Sequence, residues 1–108
     1  MIPGPVCQGS MISVEGQDRG PGGKRTLFYS APQSLENRID GYIKRSSDDG
    51  ESWWIDGGRL DSKVDPGFSY SGLADMGSDN NSTRMLGVVF EPGNGNVGIT
   101  FKSIIVDM

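Results

Sequence analysis

Ser46-Ser47-Asp48-Asp49-Gly50-Glu51-Ser52-Trp53 sets two acids beside a glycine and closes on an indole. Such an octet could ligate a cation, cradle a phosphate, or simply turn the chain. A calcium loop of the EF-hand kind spaces its oxygen ligands over about twelve residues between two helices, and neither feature surrounds Asp48. A hairpin turn accounts for every residue type: Asp48 accepts hydrogen bonds from nearby backbone N–H groups, Gly50 takes a positive φ, and Trp53 folds back as an apolar plug. Gly93-Asn94-Gly95-Asn96-Val97-Gly98 matches a dinucleotide fingerprint, but Ile99 to Val106 after it is β-branched and strand-like, so the helix N-terminus that fingerprint needs is missing. It reads as a turn. Pro21-Gly22-Gly23-Lys24-Arg25 fails as a phosphate loop, because Arg25 stands where a hydroxyl must bind magnesium. The overlapping sequons Asn80-Asn81-Ser82 and Asn81-Ser82-Thr83 read as a polar turn, and Cys7 as a small, semi-buried residue.

The composition narrows the chemistry further. With no histidine among 108 residues there is no imidazole base and no His-containing zinc site, and one cysteine forms no internal disulfide. Cys–His and Ser–His catalysis are excluded. A net charge of −4 with scattered basic residues argues against nucleic acid as a partner. No apolar run reaches the ~18 residues of a membrane span, and the N-terminus lacks the succession of a signal peptide. No compartment is assigned by these features, and no metal or cofactor is implied.

The elements that must position any chemistry are short strands. Seventeen glycines and six prolines against 34% hydrophobic residues make a thin core and a chain that turns often. Strands are predicted at Gly9–Glu15, Thr26–Ala31, Ile39–Arg45, Trp53–Ile55, Phe68–Met76, Met85–Glu91 and Val97–Met108, with no 3.6-residue periodicity between them. The predicted class is all-β and antiparallel, compatible with a sandwich, a barrel or propeller blades.

Ser46, Asp48, Gly50, Ser52 and Trp53 spell S-x-D-x-G-x-[ST]-W, which resembles the Asp-box, a hairpin signature of sialidases and some other β-propellers. The flanks resemble the C-terminal part of the exo-α-sialidase (neuraminidase) family in order: CQGSMISV at Cys7 to Val14, TLFYSAP at Thr26 to Pro32, and NRIDGYIKR running into the octet. FSYSGLADMG at Phe68 to Gly77 and the closing LGVVFEPG and ITFKSI follow. The resemblance covers nearly the whole chain. It implies a six-bladed β-propeller of which residues 1–108 are a C-terminal fragment, about the last two blades.

It also implies roles. Arg38 resembles the third of three arginines that hold the carboxylate of sialic acid, a group suited to a guanidinium fork. Tyr70 resembles the nucleophile of a retaining glycoside hydrolase; a neutral phenol can approach an anomeric carbon whose carboxylate would repel an anion, provided a base activates it. Glu91 resembles the acid that steadies the first arginine, and Gln8 a position beside the substrate in some relatives. The family's first two arginines, its general-acid aspartate and its base glutamate lie upstream of the region resembled. The expectation is therefore part of an enzyme releasing terminal sialic acid from glycoconjugates, with sialylated glycans and the N-terminal blades as partners and the 108-residue chain inactive alone. Exposed sheet edges and an apolar flank are expected to make it associate. The alternative is a non-catalytic Asp-box propeller or a glycan- or protein-binding module.

Overall fold

The computed structural model describes residues 9–15, 25–32, 37–56, 58–61, 67–77, 83–92 and 98–107. Seven strands and no helix occur among them: β1 (Ser10–Glu15), β2 (Arg25–Pro32), β3 (Gly41–Ser46), β4 (Trp54–Asp56), β5 (Ser71–Asp75), β6 (Thr83–Phe90) and β7 (Thr100–Asp107). The chain is all-β. Each strand pairs antiparallel with its sequence neighbour, giving one sheet in the order β1-β2-β3-β4 and a second in the order β5-β6-β7. Among the described residues the two sheets stay separate and do not close into a barrel.

Period-two burial shows which side of each strand faces inward. In β2, Thr26, Phe28, Ser30 and Pro32 are buried while the residues between them are not. In β6 the buried apolar residues are Leu86, Val88 and Phe90, with Met85 and Val89 exposed. The inner faces supply one core: Val14, Phe28 and Ile43 from the first sheet, Leu86, Val88, Phe90 and Val106 from the second, and Leu60 and Phe68 from the connecting loops. Phe68 stacks on Phe90 with ring centroids 4.5 Å apart.

Polar side chains tie the sheets together as well. Ser30 and Ser71 share a hydroxyl–hydroxyl bond of 2.7 Å, and the Leu73 N–H donates to Ser10 Oγ at 3.0 Å. Lys102 on β7 donates its ammonium to the Leu60 carbonyl. Buried hydroxyls demand partners, and here the partners lie on the facing sheet. Two ion pairs line the inner faces within single sheets, Arg45 with Asp56 and Arg84 with Asp75, each at 2.7 Å.

The strand ends shift by up to three residues from the predicted ones, and two of the shifts have a visible cause. Residues 39 and 40 precede β3 because Asp40 has φ 60°, which breaks the extended backbone. Phe68 to Tyr70 precede β5, the Phe68 N–H turning away to the Arg38 carbonyl at 2.8 Å. The far face of the second sheet is apolar too: Met85 lies opposite Ile105 and Val89 opposite Phe101, with Phe101 and Ile105 57% and 67% exposed.

Candidate functional site

Three stretches converge at one end of the two sheets: the approach to β3, the approach to β5, and the exit from β6. Backbone bonds join them. The Phe68 N–H reaches the Arg38 carbonyl at 2.8 Å, the Ser69 N–H reaches the Glu91 carbonyl at 2.8 Å, and the Glu91 N–H reaches the Tyr70 carbonyl at 3.0 Å. Arg38, Tyr70 and Glu91, about fifty residues apart at the extremes, thus become neighbours.

The side chains continue the pattern. Arg38 donates from Nη1 to Ser69 Oγ at 3.2 Å, and its guanidinium carbon lies 5.2 Å from the centroid of the Tyr70 ring. A guanidinium over an aromatic face is attracted by the ring quadrupole, worth about 0.5–1 kcal/mol at an exposed site. Tyr70 is 45% exposed. Its ring forms one wall of an open cleft of about 210 Å3, completed by Ser71, Gly72, Val89, Phe90, Glu91 and Ile99. A cationic fork stacked on a phenol at the lip of a small, partly apolar cleft can hold a carboxylate while presenting a hydroxyl to the same ligand.

Between the approaches to β3 and β5 lies a charged group that sequence reasoning missed. The Asp61 carboxylate, its side chain 1% exposed, accepts the N–H groups of Asp40 at 3.1 Å, Gly41 at 2.8 Å and Gly67 at 3.1 Å. Arg59 adds two bonds, from Nε at 2.7 Å and Nη2 at 3.0 Å, and pairs through Nη1 with Asp40 at 3.0 Å. Burial alone would raise the Asp61 carboxyl. The hydrogen bonds from Arg59, Gly41 and Gly67 and the Arg59 charge outweigh burial and hold it below its ordinary value. This network also restrains Asp40, whose left-handed backbone costs roughly 1–3 kcal/mol. An Arg-x-Asp in a loop is too common a pattern to have marked it.

The octet lies elsewhere. Arg38 precedes β3 and Ser46 ends it, so the length of that strand, roughly 16 Å, separates them. Asp49 and Gly50 have φ 60° and 89°, and the Glu51 N–H returns to the Asp48 carbonyl at 3.3 Å. Positive φ at both central residues is the type I′ hairpin condition, which glycine meets without strain. Asp48 Oδ1 accepts from Ser46 Oγ and the Ser52 N–H, both at 2.8 Å, and Oδ2 accepts from Ser52 Oγ. The Gly50 N–H donates to Ser46 Oγ at 2.9 Å. Trp53 donates its indole N–H to the Gly50 carbonyl at 2.9 Å and meets Tyr29 edge-on at 6.2 Å. The acids of the octet organise a turn.

Hydrogen bonds from the Ser52 side chain and then the Ser52 N–H lower the Asp48 pKa from 3.8 to about 2. A depressed carboxyl contributes stability above its unfolded value, and that contribution is lost as pH falls through the folded value. The stability gap between the wild type and Asp48→Asn is therefore expected to be full above pH 3.8 and to shrink towards pH 2. Urea denaturation at a series of pH values measures the gap; a gap independent of pH would contradict the carboxylate's role.

Compared with known proteins, the chain matches no family model and no curated sequence. Among the described residues, no three histidine, cysteine or acidic side chains are grouped to hold a metal ion, and no helix is long and apolar enough to cross a membrane. Gln8 and Cys7 lie outside the described residues, as do most of the Gly93–Gly98 run and both asparagines of the sequons.

Proposed function

We propose that this chain is part of an exo-α-sialidase, a propeller enzyme in which Arg38 binds the substrate carboxylate and Tyr70 is the nucleophile. The observation that carries the proposal is the Arg38–Tyr70 stack beside the cleft, because it joins a carboxylate-binding fork to a phenol on residues 32 positions apart. Further support comes from Glu91, whose backbone brackets both Ser69 and Tyr70, and from the four-stranded meander β1-β2-β3-β4, the form of a propeller blade. The octet is then an Asp-box, structural and away from the chemistry.

A glycan-binding module without chemistry is the second reading. The observation favouring it is the exposure of the Tyr70 ring at an open cleft, since such a ring can serve as a stacking platform for a sugar. Both readings require carboxylate recognition, and turnover separates them.

Titration with N-acetylneuraminic acid, followed by NMR of the Arg38 and Tyr70 side chains, tests the shared step. Arg38→Ala is expected to weaken binding by about 10- to 100-fold, the worth of a hydrogen bond to a charged group, and the methyl ester of the sugar to bind as poorly to the wild type. Equal affinity for acid and ester would sink the carboxylate assignment.

A further inference from the structure

We propose that Asp61 is the positioning residue that sets Arg38 against Tyr70. The two residues belong to different loops, Arg38 ahead of β3 and Tyr70 ahead of β5, so their apposition depends on what joins those loops. One link is direct, the Phe68 N–H to the Arg38 carbonyl. The other is the Asp61 carboxylate, which holds the N–H groups of Asp40 and Gly41, two and three residues after Arg38, and the N–H of Gly67, three residues before Tyr70. A single buried anion therefore clamps both loops from the same side.

Burial and charge make the clamp stiff. Arg59 neutralises Asp61 through two hydrogen bonds and reaches Asp40 with its remaining terminal nitrogen, so each hydrogen-bond partner of the carboxylate among the described residues is a donor. The Leu60 N–H adds a bond to the Gly41 carbonyl at 2.8 Å, seating the backbone beside the carboxylate on the start of β3. Asp61 is not part of the cleft lining; it acts through the backbone N–H groups of Asp40, Gly41 and Gly67. Its importance for ligand binding rests on the sialidase reading, whereas its role in the Arg38–Tyr70 contact rests on geometry alone.

The decisive variant is D61N in the full 108-residue chain, because an amide keeps the shape but replaces one acceptor oxygen with a donor that faces Gly67 or Arg59. The wild type is expected to show a nuclear Overhauser contact between the Arg38 side chain and the Tyr70 ring, with the Arg38 Nε–H shifted by the ring current. In D61N both signatures are expected to vanish while the methyl signals of Ile43 and Val88 stay at their folded positions, and N-acetylneuraminic acid affinity is expected to fall by about ten- to a hundredfold. A purely structural role would lower the melting temperature and leave the contact intact in the folded chain, and that result overturns the proposal. If D61N does not fold, hydrogen exchange in the wild type decides: the Asp40, Gly41 and Gly67 amides are expected to open in the same step that removes the contact. A contact that outlives their protection overturns the proposal as well. Loss of the contact in D61N, with no sugar bound by the wild type, upholds the clamp and removes the sialidase reading instead.

Discussion

Turnover of a fluorogenic sialoside is expected to fall by about a thousandfold or more when Tyr70 is replaced by phenylalanine, in a polypeptide that joins this segment to a general base and a general acid. Phenylalanine keeps the ring that stacks under Arg38 and walls the cleft, and deletes only the hydroxyl. In the proposed step that hydroxyl, giving its proton to the base, forms the bond to the anomeric carbon. The glycosidic bond breaks as the acid protonates the leaving oxygen, and water then releases the sugar from the tyrosine. Affinity for N-acetylneuraminic acid should therefore move by no more than about twofold in Tyr70→Phe, because the cation–π partner remains. Arg38→Ala, by contrast, is expected to damage binding and turnover together. Near-normal turnover by Tyr70→Phe would eliminate tyrosine as the nucleophile, and normal binding with no turnover by the wild type would leave the glycan-binding module standing.

A methyl group at Gly41 is expected to cost about 3 kcal/mol of stability, the upper end of the usual range for overpacking. A Cβ there would stand 2.1 Å from Cδ2 and 2.3 Å from Cγ of Phe68. That ring is fully buried and stacked on Phe90, and a close-packed interior gives it nowhere to go. The backbone cannot yield instead, since Gly41 pairs with Pro32 across the sheet and donates its N–H to Asp61. Whatever displacement Phe68 makes is passed to Ser69 and Tyr70, so Gly41→Ala should also loosen the Arg38–Tyr70 contact. Urea denaturation measures the loss, and Gly58→Ala is the control: nothing lies within 4 Å of that site, and its effect is expected to stay within about 0.5 kcal/mol. Partial recovery in Gly41→Ala combined with Phe68→Leu would trace the cost to the ring, whereas strict additivity would place it elsewhere.

Much of the fold was legible because local chemistry specified it. Gly, Pro, Asn and Asp clusters punctuate the chain, β-branched and aromatic runs lie between them, and the seven strands fall inside or close to the predicted stretches. The octet was legible for the same reason, as the hydrogen bonds within it span no more than four residues. The Asp61 clamp was not. Its bonds to Gly41 and Asp40 cross twenty and twenty-one residues, and an isolated loop aspartate gives no hint of where its acceptors point.

By itself the sequence determined an all-β chain of short antiparallel strands, a turn at the octet with Gly50 at positive φ, and the absence of any imidazole chemistry, because backbone preference and residue inventory are properties of neighbours and counts. It left undecided which side of β6 and β7 is the core. Leu86, Val88, Phe90 and Val106 alternate with Met85, Val89, Phe101 and Ile105, so both faces are apolar, and only packing against the first sheet buries one set and exposes the other. The tertiary structure alone likewise brought Arg38 over Tyr70. Two loops at the ends of different sheets meet there because a shared phenylalanine core and one buried carboxylate hold them, and those are interactions between residues far apart in the chain.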